Sequence, residues 1–300
     1  MLDQIQLMSV FVAVAEEQGF AAASRRLNMS PPTVTRAIAS LEERLSVKLF
    51  NRTTRYVRVT DAGFRYLDDV KRILDDIKVA NEAAQGINAT PQGNISVTAP
   101  VLFGQQYVLP SVIEYLNTHE KTQVNTVFLD RVVNLLEEGY DVGVRIGELA
   151  DSSMRAKKVG SVRLALVASP DYLAKHGIPR HYNDLENHTL IESQVGSLNP
   201  DWKFVDNGKV VNQRINARLS VTTNQAAINA AVAGFGITRI ISYQVAEEIT
   251  NNKLKFILEP FEQKPLPVNI VHREDKLSSA KVRSFIDLLA DSLTKHTALN

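Results

Sequence analysis

The 300-residue chain contains no cysteine. Disulfides, thiolate metal sites and thiol redox chemistry are thereby excluded. No apolar run reaches the roughly 18 residues that a membrane-spanning helix needs. Tryptophan occurs once, and 34 basic residues stand against 33 acidic ones for a net charge of +1. The signatures of common enzymes are missing too: there is no G-x-S-x-G, no P-loop and no H-E-x-x-H. Gly234-Phe235-Gly236 is followed by Ile-Thr-Arg and comes after a helical stretch, so it reads as a helix stop before a strand rather than a nucleotide loop. His176, His181 and His188 flank and occupy the loop-like stretch GIPRHYNDLEN at a spacing that suits no common zinc pattern, and read as surface histidines. No catalytic activity, metal or cofactor is expected. The segment MLDQIQLMSVFVAVAEEQG has no basic n-region. Its residues Leu2, Ile5, Leu7, Met8, Phe11, Val12 and Ala15 make a helical stripe instead of a signal peptide, and a cytoplasmic location is expected.

What is present is local. Between Gly19 and Thr60 lie eight basic residues and only two acids, Glu42 and Glu43, a net charge of +6. Residues 91–300 hold 22 basic and 22 acidic residues and balance. A compact basic block on a neutral chain is the electrostatic footprint of phosphate binding, although a solvated charged face gives the same count. Turn chemistry and periodicity decide between them. Ala21 to Leu27 is a short helix of small residues, and Asn28-Met29-Ser30 interrupts it. Ser30 is placed to cap a second helix whose first turn accommodates Pro31 and Pro32. Val34, Ile38, Leu41 and Leu45 then form its apolar stripe. Two helices joined by a tight turn, with small polar residues opening the second, make a helix-turn-helix whose second helix enters the major groove N-terminus first. Lys48-Leu49-Phe50, an arginine-rich tip and the alternating Tyr56-Val57-Arg58-Val59-Thr60 follow as a two-stranded wing.

These motifs resemble the winged helix-turn-helix of the bacterial LysR-type transcriptional regulators. The resemblance rests on Ala22-Ala23, Leu27, Ser30, Thr35-Arg36-Ala37-Ile38, Leu41-Glu42, Leu45-Ser46, Leu49-Phe50-Asn51-Arg52 and Thr60-Asp61-Ala62-Gly63. Thr35 stands where the family usually has Ser, and Ser46 where it usually has Gly. The wing RTTRYVRVT and the segment IGELADSSM are similar to the CrgA-like branch. The lack of cysteine sets the chain apart from the family's peroxide sensors.

After the wing, Tyr66, Val70, Ile73, Ile77, Ala80 and Ala84 step by four and three, with Leu67 and Leu74 beside them. This reads as a dimerising coiled-coil seam, the alternative being a helix packed on its own domain. Asn88 to Gly93 is a hinge. From residue 94 strands and helices alternate. Strands are expected at 95–99, 123–129 and 141–145, with helices at 105–119 and 132–138, an order that implies a parallel sheet. A second stretch opens with the apolar strand 162–168 and includes the helix 225–232 and the strand 237–241. Residues 268–271 and the helix 278–293 return to the first part.

The expected class is therefore α+β and multidomain. A winged helix-turn-helix spans 1–61 and a linker helix with its hinge spans 62–93. A two-lobed α/β domain spans 94–300, which the resemblance likens to periplasmic binding proteins. Lobe I takes 94–161 and 268–300, and lobe II takes 162–267. Such lobes bind ligands beyond the strand ends, against helix N-termini. That rule selects Ala99, Pro100, Val101 and Phe103 after the first strand, Arg145 and Gly147 after the third, Thr222, Thr223 and Asn224 at a helix start, and Phe235 at a turn. The apolar character of the first loop points to an effector with an aromatic or apolar part. Arg145 would pair its carboxylate, or else Glu148 or Asp141.

Ser30, Pro31, Pro32, Thr33, Thr35 and Arg36 are expected to face the DNA groove, with Arg36 reading a base. Arg52 and Arg55 serve the wing, and Ser24 and Arg25 reach phosphate. The resemblance further implies promoter DNA, a small-molecule effector, a homodimer assembling as a dimer of dimers, and RNA polymerase as partners. The competing expectation is a repressor whose rear domain only oligomerises and senses no ligand.

Overall fold

Asp3 opens the first helix, α1 (Gln4–Glu17), with a reciprocal cap. Its carboxylate accepts the Gln6 N–H at 2.7 Å, and the Gln6 side chain accepts the Asp3 N–H at 3.0 Å. The computed structural model describes residues 2–52, 57–85, 90–149, 154–194, 201–273 and 279–299; side chains at 52, 75, 78, 79 and 82–85 fall outside that description. Two compact units emerge, Met1–Ala89 and Thr90–Asn300. Among the described residues no helix is long and apolar enough to cross a membrane.

In the first unit α2 (Phe20–Arg26) and α3 (Pro31–Leu45) form the expected pair of helices. Ser30 holds the N-cap position, but its hydroxyl bonds the Thr33 hydroxyl at 2.8 Å and caps no backbone N–H. Its backbone carbonyl accepts the Thr33 N–H instead. Val34, Ile38 and Leu41 are wholly buried, whereas Leu45, at the helix end, is exposed. Ser46 closes α3 in the left-handed conformation, φ 54°. There the family's usual glycine would lack the Cβ that makes this conformation costly. The wing is β1 (Phe50–Arg52) paired antiparallel with β2 (Val57–Val59). Its tip, with Arg55, lies outside the described residues.

The Thr60-x-x-Gly63 motif starts α4 (Asp61–Gln85). The Thr60 hydroxyl donates to the Lys48 carbonyl at 2.8 Å and accepts the Gly63 N–H at 3.0 Å. A Cβ on Gly63 would come within 2.3 Å of the Leu49 carbonyl oxygen, so only glycine lets the helix start so close to the wing. The first turns of α4 dock on α1. Val70 is wholly buried in the core of this unit, the Tyr66 ring packs tilted on Phe11 at 5.3 Å, and Lys71 pairs with Glu16 at 2.8 Å. Of the residues assigned to the dimer seam, Tyr66 and Val70 thus serve their own domain, the arrangement the alternative reading described. Ile73 and Ala80 are exposed and Ile77 is half-buried.

The second unit holds two five-stranded sheets. The first has the order β4 (Thr122–Phe128), β3 (Gly93–Ala99), β5 (Val142–Ile146), β14 (Leu266–Arg273), β6 (Met154–Val162). β3 pairs parallel with β4 and with β5, and β14 runs antiparallel. The second sheet has the order β11 (Leu219–Val221), β8 (Leu190–Ser193), β12 (Ile237–Ile241), β7 (Leu164–Ala168), β13 (Lys255–Ile257). A hairpin of β9 (Asp201–Asp206) and β10 (Lys209–Arg214) covers its flank. The chain crosses between sheets after β6 and again after β13. β6 and β10 had no counterpart in the sequence analysis; charged Arg155, Lys157 and Lys158 interrupt the first, and polar Asn212, Gln213 and Arg214 the second. The expected helix at 132–138 is absent; turns occupy that stretch.

Helices α5 (Val101–Phe103), α6 (Leu109–Thr118) and α10 (Ala280–Thr294) belong to the first sheet's lobe, and α7 (Pro170–His176), α8 (Asn224–Val232) and α9 (Ala246–Thr250) to the second's. Between α5 and α6 the helix widens to a π turn at Gly104–Val108. The wider turn lets the Leu109 N–H reach the Gly104 carbonyl just before Pro110, which has no N–H to give. The Phe128 ring fills the space beside Gly104, where a Cβ would lie only 2.3 Å from it.

Candidate nucleic-acid interface and ligand cleft

Not all of the basic block is free to meet phosphate. Arg26 is held by Glu16 at 2.8 Å and Glu17 at 3.3 Å, and the bond from Glu16 raises its pKa above the ordinary value. Lys48 pairs with the buried Glu42 at 2.8 Å, and Arg44 donates to the Gln4 side chain at 3.0 Å. Arg25, Arg36 and Arg58 remain exposed. Pro31, Pro32, Thr35 and Arg36 form the solvent face of α3, and Thr33 is half-buried beside them. Thr35 donates to the Pro31 carbonyl at 3.0 Å, and Arg36 leans back along the helix with Nε 3.4 Å from the Pro32 carbonyl. Ser24 departs from its expected role: it is buried, and its hydroxyl donates to the Ala21 carbonyl at 2.9 Å. Arg52 ends β1, and its side chain lies outside the described residues.

In the second unit the two sheets bracket a cavity of about 370 Å³. Pro100, Arg145 and Asn224 line it as expected from the strand-end rule. The other candidates do not. Ala99 and Phe103 are wholly buried, Phe103 packing at 5.2 Å on Tyr243, which itself lines the cavity. The Val101 N–H is tied to Asp130 at 2.9 Å. Gly147, at φ +111°, is no part of the lining. Thr223 caps α8 by accepting the Ala226 N–H, and Thr222 is exposed. Phe235 is exposed under the guanidinium of Arg218, 5.7 Å from its ring centre.

Arg145 pairs with neither Glu148 nor Asp141. It donates to the Val133 carbonyl at 2.9 Å and the Val144 carbonyl at 3.4 Å, and burial holds its pKa below the ordinary value. Asp141 accepts the Ser96 N–H. Sequence reasoning missed the contribution of the second sheet and its covering hairpin: Glu192 and Ser193 from β8, Arg239 from β12 and Trp202 from β9. Ser193 donates to Asn224 at 2.7 Å, joining β8 to the α8 N-terminus. Arg239 could have been suspected, since an arginine inside the apolar strand ITRII demands a reason. Among the described residues no group of three or more His, Asp or Glu side chains could hold a metal ion.

A winged helix-turn-helix joined to a two-lobed domain with a cleft defines a ligand-responsive DNA-binding regulator. Residues 5–64 match the sequence model for the bacterial regulatory helix-turn-helix protein, lysR family, and residues 88–294 that for the LysR substrate binding domain. The chain belongs to the LysR family of transcriptional regulators. It is 30% identical over 288 residues to the HTH-type transcriptional regulator CrgA of Neisseria meningitidis serogroup B, covering 95% of this chain and 96% of that one. It is 29% identical to the HTH-type transcriptional activator AaeR of Escherichia coli, over 97% of this chain and 94% of that one. The solved CrgA structure superposes with a TM-score of 0.62 at 29% identity, over 98% of this chain and 99% of that one. Corynebacterium glutamicum OxyR gives 0.64 at 21% identity, covering 100% of this chain and 95% of that one, a likeness of fold alone.

Proposed function

We propose that the chain is a cytoplasmic homodimer that binds promoter DNA through α3 and the wing and is switched by a small carboxylate with an apolar part in the inter-lobe cleft. Its role is regulatory and not catalytic. The observation that carries the reading is the 370 Å³ cavity, lined from both sheets and holding Arg145 and Arg239 between apolar side chains such as Leu129, Ile146 and Leu164 and polar ones such as Asp130, Arg131 and Glu192. That volume lies within the range of small-molecule sites, and the lobes that bracket it can shift when it fills. The turns of α4 around the exposed Ile73 and Ala80 and the half-buried Ile77 supply the dimer contact, and two dimers associate to span two half-sites and meet RNA polymerase.

A thermal-shift screen of the full chain against aromatic and short aliphatic carboxylates tests this. A ligand at about 100 times its Kd adds roughly 2.7 kcal/mol, which raises the melting point by several degrees. A hit that also changes the chain's affinity for its own promoter supports the regulator with a sensor. Affinity for DNA indifferent to every hit leaves a rear domain that only oligomerises.

A further inference from the structure

The second sheet holds a charged pair that makes no ion pair. Thr238 of β12 sits opposite Ile191 of β8 in parallel register, so Arg239 and Glu192 follow one step on and share a face. Leu190 and Ile237 place that face under the β9–β10 hairpin, where Trp202 is buried. The Arg239 guanidinium lies 5.3 Å from the centre of the Trp202 ring. Burial draws its pKa down to about 10, against the opposing pull of Glu192, so it stays charged at neutral pH. Yet among the described residues its charge meets the Trp202 ring and the longer-range pull of Glu192, with no hydrogen bond to its five N–H donors. Among the described residues the Glu192 carboxylate accepts from the Ser220 hydroxyl at 3.3 Å. Both side chains line the cavity.

A largely buried guanidinium without an acceptor costs free energy that an anion would recover. The planar fork matches a carboxylate's two oxygens. Glu192 beside it repels a bare carboxylate. It favours one whose neighbouring carbon carries an N–H or O–H, since a carboxylate at the site is an acceptor in need of donors. Arg145 is the poorer anchor, because two of its donors already serve backbone carbonyls.

We propose that Arg239 is the carboxylate anchor of the cleft and that Glu192 selects acids bearing a hydrogen-bond donor on the adjacent carbon, that is, α-hydroxy or α-amino acids. The proposal rests on the cleft being the effector site. The hydroxyl and the ammonium group share the required chemistry, and the probes below separate them.

Trp202 is the chain's sole tryptophan, so its fluorescence reports on this corner of the cavity. Full-length protein is titrated with propionate, lactate and alanine, and with phenylacetate, mandelate and phenylglycine. The α-substituted acids are expected to change Trp202 emission at concentrations at least about tenfold below those of their unsubstituted parents, the value of one hydrogen bond to a charged group. Whichever of the hydroxy and amino acids binds tighter identifies the donor. Glu192→Gln should close that gap by improving the unsubstituted acids. Arg239→Gln should abolish the response and Arg239→Lys retain part of it, with unliganded melting curves checking that each variant folds.

Equal binding of parent and substituted acids by the wild type, undiminished binding by Arg239→Gln, or no response to any of the six probes would overturn the proposal. Ser193→Leu, which adds bulk to the cavity lining without touching the Arg239 side chain's own chemistry, separates the two levels. Acids that fail to bind Ser193→Leu but ignore Arg239→Gln sink the anchor and keep the cleft. Acids that bind both variants normally sink the cleft as well.

Discussion

The rings of Phe11 and Tyr66 lie 5.3 Å apart, and through them the long helix α4 is clamped to the first helix of its own domain. One turn further on, Val70 completes the same core. The helix is therefore divided along its length between a docked start and an exposed continuation.

Val70→Ala is expected to lower the stability of the unit formed by residues 1–89 by about 1–3 kcal/mol, through lost burial and the small cavity left behind. Ile73→Glu, on the exposed part, should leave that stability nearly unchanged and weaken self-association. Urea denaturation followed by far-UV circular dichroism gives the first quantity, and sedimentation equilibrium the second. A Val70→Ala chain that unfolds normally but dissociates would reverse the assignment.

Glu42 ties the end of α3 to the wing. Buried itself, it accepts the N–H groups of Leu49 and Phe50 at 3.0 and 3.2 Å and the ammonium of Lys48 at 2.8 Å. Burial pushes its pKa up, but these bonds outweigh burial and hold it below the ordinary 4.5. A depressed carboxyl stabilises fully above its unfolded value and loses that contribution as the pH falls through the folded one. Glu42→Gln should cost about 2–3 kcal/mol near pH 7. The deficit relative to wild type should shrink once the pH drops below 4.5. Urea midpoints across an acid series check this; a deficit that is constant with pH would mean that the charge plays no part.

On DNA, Arg36→Ala is expected to cost about 1–3 kcal/mol at one base position and to relax preference there. Arg25→Ala should instead weaken binding to all sequences and reduce the slope of log K against log salt by about 1. Ser24→Ala should leave affinity within about twofold, since phosphate contacts need an exposed donor. Operator variants titrated by fluorescence anisotropy at several salt concentrations distinguish the three. A uniform loss for Arg36→Ala would make it a backbone contact.

Gly104→Ala drives a methyl group to within 2.3 Å of the Phe128 ring and should destabilise the second unit by about 1–3 kcal/mol. Adding Phe128→Leu should recover part of the loss, because the clash is with that ring. Differential scanning calorimetry of both variants tests it; an additive double variant would place the strain elsewhere.

The helix-turn-helix was legible because its signals are short-range: the breaks at Asn28 to Ser30, the prolines opening α3, and the period of Val34, Ile38 and Leu41. The parallel strands of the first sheet were legible as apolar runs. The helix expected at 132–138 failed because burial alternates there, Val133 and Leu135 inward and Val132 and Leu136 exposed, a pattern that gives no helical face. Apolar character alone therefore misled. The strand-end rule found Pro100, Arg145 and Asn224, all close to a strand end or a helix start. It could not find Trp202 or Arg239, which enter the cavity from a hairpin and from the middle of a strand.

Composition and local pattern by themselves determined the absence of thiol chemistry, the basic head and its recognition helix, since each depends on residues close in sequence; the class of the rear domain came as much from the family resemblance. Tertiary structure alone decided which arginines are free. Arg26 is spent on Glu16, Ser24 is turned inward, and among the described residues Arg239 lies over the Trp202 ring with no hydrogen bond, although Glu192 is near. Whether a charge is paired depends on what folding brings to within a few ångströms of it, and those neighbours lie up to scores of residues away along the chain.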